Sequence, residues 1–223
     1  MYIKIRHWRD VSPRPYQSPS RDAATSRTRD RIVASAAAIL GRAKGIEEFS
    51  LEAVATKAGV TRLTVYNQFG SRRALLEAVF DERAAHGGLH RLVEAMTSSD
   101  PRGALLQVIA IFCEFWTSDP GALGLLHAAG ASDPDLALSV GERNERRRRL
   151  LAALVRRIAD QGRMRAKAER DLVDTLFALT SFWFFSQLAT ARRTATATCR
   201  IIQELAMDAV RRASSAKDKS TPD

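Results

Sequence analysis

Between residues 29 and 213 the apolar side chains recur at three- and four-residue spacing, and this period is what most constrains the fold. No run alternates apolar and polar residues as a half-buried strand would, and no Asn-Gly or Asp-Gly pair marks a hairpin. The expected class is therefore all-α. With 223 residues, 45% of them hydrophobic, the chain can bury a sizeable core. Two segments lack the period. Residues 1–28 are rich in Arg, Ser and Pro and read as a disordered basic tail. They are either partly a translated leader or an arm whose arginines lie along DNA phosphates or the minor groove. Residues 214–223 read as a second disordered tail.

Helix punctuation divides the remainder. A first helix, expected over residues 29–42, places Ile32, Val33, Ala36, Ile39 and Leu40 on one face, and Gly45 then offers the left-handed residue that commonly closes a helix. Ser50 can cap a second helix, with Phe49 and Val54 at hydrophobic-staple spacing, and that helix stops at Gly59. Thr61 can cap a third helix reaching Phe69, and Ser71 a fourth that carries Leu75, Leu76, Val79 and Phe80. Beyond Gly87-Gly88 the helices lengthen. Pro101, Pro120 and Pro134 suit their first turns, and two more are expected over residues 169–192 and 196–212. A domain boundary is placed near residues 86–90, giving units of 29–86 and 87–213.

A formal charge of +10 favours a polyanionic partner, nucleic acid or an anionic membrane, unless it serves only solubility. The stretch 172–189 is the most apolar, but Asp174, Thr180, Ser181, Ser186 and Gln187 interrupt it. It falls short of the ~20 clean residues of a membrane span, and no secretory h-region precedes the helices. A cytoplasmic protein without a membrane partner is expected. Cys113 and Cys199 fall in apolar helical patterns and read as buried structural thiols. His86 and His90 have i, i+4 spacing, but Gly87-Gly88 loosens that turn and no acid or cysteine completes a metal set. The run Arg146 to Arg149 points around a helix, with Glu142 and Glu145 placed to pair, and reads as a solvated face. There is no Gly-rich phosphate loop, nucleophile elbow or His-Glu-x-x-His, so neither enzyme nor cofactor is expected.

The residues from Leu51 to Phe69 form a helix, a tight turn and a second helix. Ala58 and Gly59 allow close crossing, and Val60 and Val65 can plug the angle. The second helix is thereby held out as a probe for a major groove. Arg62 suits guanine, Asn67 adenine, and Leu63 a thymine methyl. Thr64 and Tyr66 suit phosphate oxygens. Arg72 and Arg73 stand at the positive end of the next helix, where cations are unfavourable unless a phosphate docks there.

The stretch from about residue 31 to residue 80 resembles the DNA-binding domain of TetR-type (tetracycline-repressor-like) regulators. Their pattern Ala-Gly-Val-(Ser/Thr)-x-x-Thr-(Leu/Val)-Tyr-x-x-Phe is matched from Ala58 through Phe69, including Gly59, Val60, Thr61, Thr64, Val65 and Tyr66. The family then usually continues Ser-Lys-(Glu/Asp)-x-Leu; here Arg72 stands for the lysine and Arg73 for the acid. The resemblance implies backbone contacts from Ser50, Thr61, Thr64, Tyr66 and Arg72, and base contacts from Arg62, Leu63 and Asn67. It also implies a larger helical domain that binds a ligand and dimerises through its last two long helices. An apolar or aromatic effector would meet candidates Phe112, Trp116, His127, Phe177 and Trp183. The expected function is a ligand-relieved repressor, a homodimer on a palindromic operator. A regulator without a ligand or an activator, a helical enzyme, and a basic membrane-surface protein are the alternatives.

Overall fold

The computed structural model describes residues 19–43, 45–131, 133–162 and 164–215. These residues form eleven α-helices and two short 3-10 turns, with no strand among them, and the all-α class holds. The first helix, α1 (Pro19–Leu40), begins well before the expected start, so residues 19–28 are helical rather than tail. Proline is tolerated in a first turn, and the Thr28 hydroxyl donates to the Ala24 carbonyl at 2.9 Å within the extension. Residues 1–18 and 216–223 of the two expected tails lie outside the described residues.

Three short helices follow, each begun by the hydroxyl that the punctuation assigned to it. Ser50 accepts the Ala53 N–H ahead of α2 (Leu51–Ala58). Thr61 accepts the Thr64 N–H at 3.1 Å ahead of α3 (Arg62–Phe69). Ser71 accepts the Ala74 N–H at 3.0 Å ahead of α4 (Arg72–His86). Between α2 and α3, Gly59 has φ +63°, a left-handed conformation that disfavours a β-carbon.

The remaining helices are α5 (Leu92–Thr97), α6 (Pro101–Ser118), α7 (Pro120–Ala129), α8 (Pro134–Asp160), α9 (Ala166–Leu179), α10 (Phe182–Leu188) and α11 (Ala195–Ser215). Two buried clusters organise them. One gathers Ile32, Leu40, Phe49, Val54, Val65, Leu75 and Leu76 from α1 to α4, and is completed by Ala122, Leu126 and Ala129 of α7 and Leu136 of α8. The other is built from α6, α8, α9, α10 and α11 around Leu105, Ile109, Phe115, Leu154, Leu176 and Ile202. Each such side chain taken from water contributes roughly 1.5–3 kcal/mol. Helix α7 faces both ways, because its Leu123 belongs to the second cluster. It also lies close against the end of α1: a β-carbon on Gly121 would sit 2.9 Å from the Gly41 carbonyl oxygen.

The helix expected over residues 169–192 is broken between α9 and α10. Thr180 turns its hydroxyl back to the Leu176 carbonyl at 2.8 Å, and Ser181 caps α10 by accepting the Phe184 N–H. The break leaves the Thr180 carbonyl free of the helical ladder, and two buried donors take it. The Trp116 indole N–H reaches it at 3.1 Å and the Arg147 guanidinium at 2.8 Å. Cys113 and Cys199 are both free, the first buried and the second half-buried. The neighbouring Cys199 and burial raise the Cys113 thiol, while Cys113 lowers that of Cys199. Among the described residues no helix is long and apolar enough to cross a membrane.

Candidate nucleic-acid interface and cavity

Helix α3 buries one side and exposes the other. Val65 is fully buried and Phe69 nearly so, while Leu63 is 66% and Tyr66 56% exposed. Arg62 and Asn67 are exposed as well, and Thr64 is half-buried beside them. The polar residues are anchored locally. Thr61 and Thr64 share a hydroxyl–hydroxyl hydrogen bond of 2.9 Å. The Arg29 guanidinium donates to the Gln68 carbonyl at 2.8 Å and stands 4.2 Å over the Phe69 ring. Val65 fills the helix crossing, whereas Val60 is only half-buried. A short rigid helix thus holds a large aromatic, a leucine, an arginine and an asparagine in solvent. Leaving Leu63 and Tyr66 there forgoes the burial that such side chains ordinarily gain.

The N-terminus of α4 differs from expectation. Arg72 does not stand there uncompensated. It pairs with Asp133 at 2.9 Å and donates to the Ile46 carbonyl at 3.1 Å and the Phe49 carbonyl at 3.3 Å. Arg73 pairs with Glu77 at 2.9 Å, one turn along the same helix. These two cations therefore need no docked phosphate, because the protein itself supplies the acceptors. Asp133 lies 61 residues away in the sequence, and no local pattern pointed to it.

A cavity of about 260 Å³ lies between α4, α6, α7 and α8. Phe112, Trp116 and His127 line it, together with Phe80, Phe115 and Leu92. Phe177 and Trp183 do not. Phe177 packs under Arg147 and Arg148, each guanidinium about 4 Å from its ring centroid, and Trp183 is 53% exposed. His127 sits in an aromatic cluster, 5.0 Å from the Phe182 ring and 5.4 Å from Trp116. Its Nδ1 lies 2.8 Å from the Leu123 carbonyl, a contact that needs the proton on Nδ1. Burial holds the imidazole below its ordinary pKa, with Arg147 adding to the effect against the Leu123 hydrogen bond.

Sequence reasoning missed the polar side of this cavity. Arg143, Asn144, Arg146 and Arg147 all line it from α8. Arg143 pairs with Asp81 at 2.6 Å and stacks 4.3 Å over Phe80. Arg147 is 8% exposed, so it is not part of a solvated face. The signal was present in the spacing: Arg147 lies four residues before Leu151 and seven before Leu154, on the buried stripe of the helix.

Comparison with known proteins settles the family of the first region. A sequence model described as "Bacterial regulatory proteins, tetR family" matches residues 33–79. The first region is thus similar to the tetR family of bacterial regulatory proteins. The matched span runs from α1 through α4 and contains the whole of α2 and α3. Beyond it the TetR-family fold is shared at low identity. A TetR-like transcriptional regulator from Rhodococcus sp. RHA1 superposes with a TM-score of 0.65 at 18% identity, over 82% of this chain and 96% of its own. A TetR transcription regulator from Haloarcula marismortui gives 0.67 at 14% identity, over 84% and 98%. A protein from Saccharomonospora viridis, solved in complex with choline, gives 0.62 at 18% identity, over 83% and 96%. No curated protein matches the sequence.

Proposed function

We propose that this TetR-family regulator is a cytoplasmic repressor. As a homodimer it binds a palindromic operator through α3 and releases it when a small ligand enters the cavity. The observation that carries the reading is the exposed face of α3, where Leu63 and Tyr66 stand in solvent opposite the buried Val65. In this reading Arg62 and Asn67 read base edges and Leu63 meets a thymine methyl. Ser50, Thr61, Thr64 and Tyr66 hold phosphates. The cap hydroxyls keep a proton to donate while accepting their backbone N–H groups. Arg72, engaged by Asp133 and two carbonyls, acts instead as a tether between the unit of residues 29–86 and that of residues 87–213.

Ligand control is supported by what joins the two units. Helix α4 carries Leu75 and Leu76 into the core behind α3, and Phe80 and Asp81 into the cavity wall. Helix α7 carries Leu126 into that same core and His127 into the cavity. A ligand that shifts either helix moves α3 with it, and a coupling of ~1–3 kcal/mol suffices for regulation. The choline complex of the S. viridis protein, which shares the fold, supports a small-molecule site in this architecture.

The test is selection of bound duplexes from a random pool. The expected result is an enriched palindrome with half-sites one helical turn apart, about 34–36 Å. Salt-sensitive binding with no enriched sequence would contradict the proposal.

A further inference from the structure

The cavity holds a charge that the described residues do not balance. Arg147 is 8% exposed, yet no carboxylate among them lies within ion-pair distance of it. One terminal nitrogen donates to the Thr180 carbonyl at 2.8 Å and the other to the Asn144 side-chain oxygen at 3.3 Å, while Nε has no acceptor. Burial and neighbouring Arg148 lower its pKa to about 10, which still leaves it charged at neutral pH. A buried guanidinium ordinarily persists only with an acid beside it. Nor does the fold need this cation for the Thr180 carbonyl, which the Trp116 indole N–H already serves.

The surroundings narrow the class of partner. Of the other two arginines lining the cavity, Arg143 is neutralised by Asp81, while Arg146 is exposed and forms no ion pair with a described residue. Three guanidinium groups therefore face one carboxylate, in a chamber whose wall also includes apolar side chains such as Phe112, Phe115 and Leu92. A cationic ligand would add to the excess. A neutral one would leave Arg147 as it stands. We propose that the cavity takes an organic anion, a carboxylate on an aromatic or aliphatic body, with its charged end at Arg147 and its body among Phe112, Phe115 and Trp116. This names the ligand class for the regulatory site proposed above and rests on that reading.

Calorimetric titration of the full chain without DNA tests it, using acids paired with their neutral amides: benzoate with benzamide, 2-naphthoate with 2-naphthamide, and octanoate with octanamide. At least one acid is expected to bind about tenfold or more tightly than its amide, as a charge-assisted contact in a buried site implies. Arg147→Met should abolish that preference while circular dichroism and the melting temperature are retained. Arg146→Gln, a change at an exposed side chain, should reduce the preference by a smaller factor, about two- to threefold. If the amides bind as well as the acids, if none of the pairs binds, or if both variants keep the preference, the inference is overturned. Since no DNA is present, such a failure would leave ligand control to be judged separately, by release of the selected duplex. Failed release by a bound acid would instead count against the regulatory reading alone.

Discussion

The α3 surface and the cavity solve opposite problems with the same kinds of side chain. On α3, groups that could be buried are left in water: Leu63 and Tyr66 are more than half exposed, with Arg62 and Asn67 beside them. In the cavity, a group that belongs in water is buried: Arg147 lies among aromatic rings with an unsatisfied Nε. Each misplacement costs stability, and under the proposed function each is offset by a partner, DNA at α3 and a ligand at Arg147. The two regions also differ in reach. The caps of α2, α3 and α4 close over three residues, whereas the Thr180 carbonyl behind the cavity is reached from positions 33 and 64 residues away.

The largest effect expected from this contrast lies within α3 itself. Val65→Asp would bury an unpaired carboxylate and should cost about 3 kcal/mol or more in denaturant unfolding. Leu63→Asp, two residues away but exposed, should change stability by less than about 0.5 kcal/mol while weakening DNA binding. A large stability loss in the second variant would mean that Leu63 serves the core. Next comes Thr61→Ala, which removes a cap and should cost about 1 kcal/mol. It should also weaken DNA binding on all sequences alike, with the salt slope kept because an uncharged hydroxyl releases no counterion; an unchanged affinity would confine Thr61 to capping.

The cavity gives a subtler test through pH. Burial holds His127 below its ordinary 6.5, so the unfolded chain takes up the proton before the folded one does. The folded state therefore keeps its full stability above 6.5 and loses it as pH falls below that value. His127→Gln should remove this part of the acid-side decline in melting temperature, with the variant's curve flatter as pH falls below 6.5. Parallel curves would show that the imidazole is protonated as readily folded as unfolded. The smallest effect is expected from Asp133→Asn. Its pair with Arg72 is partly exposed, so a few tenths to ~1 kcal/mol of stability is at stake. The informative readout is the coupling between ligand and duplex binding, which should fall if the pair is a tether.

Legibility followed the reach of the interactions. The all-α class, the three hydroxyl caps and the outward side of α3 could all be read from spacing, because each depends on neighbours within one helical turn. The left-handed residue expected at Gly45 is instead extended backbone, φ −155°, whereas Gly59 is left-handed. The extension of α1 back to Pro19 was hidden by a Ser- and Arg-rich composition that suggested a tail. The break at Thr180 and Ser181 was hidden by the apolar run around it, although Ser181 three residues before Phe184 has the spacing of a cap. Arg72 was placed against a phosphate because Asp133 could not be seen from its own neighbourhood. Of the five candidate ligand residues, Phe112, Trp116 and His127 meet at one cavity, while Phe177 and Trp183 lie outside it. Only tertiary packing decides which apolar face of a helix looks inward.

The division of labour between the two regions is tested most directly by repeating the duplex selection with Arg62→Ala and with Arg147→Met. Arg62→Ala is predicted to relax one position in each half-site, at ~1–3 kcal/mol of discrimination, and to leave the rest of the consensus intact. Arg147→Met is predicted to return the consensus unchanged. An unaltered consensus from Arg62→Ala, or an altered one from Arg147→Met, would contradict the account of α3 as the reading surface and the cavity as its control.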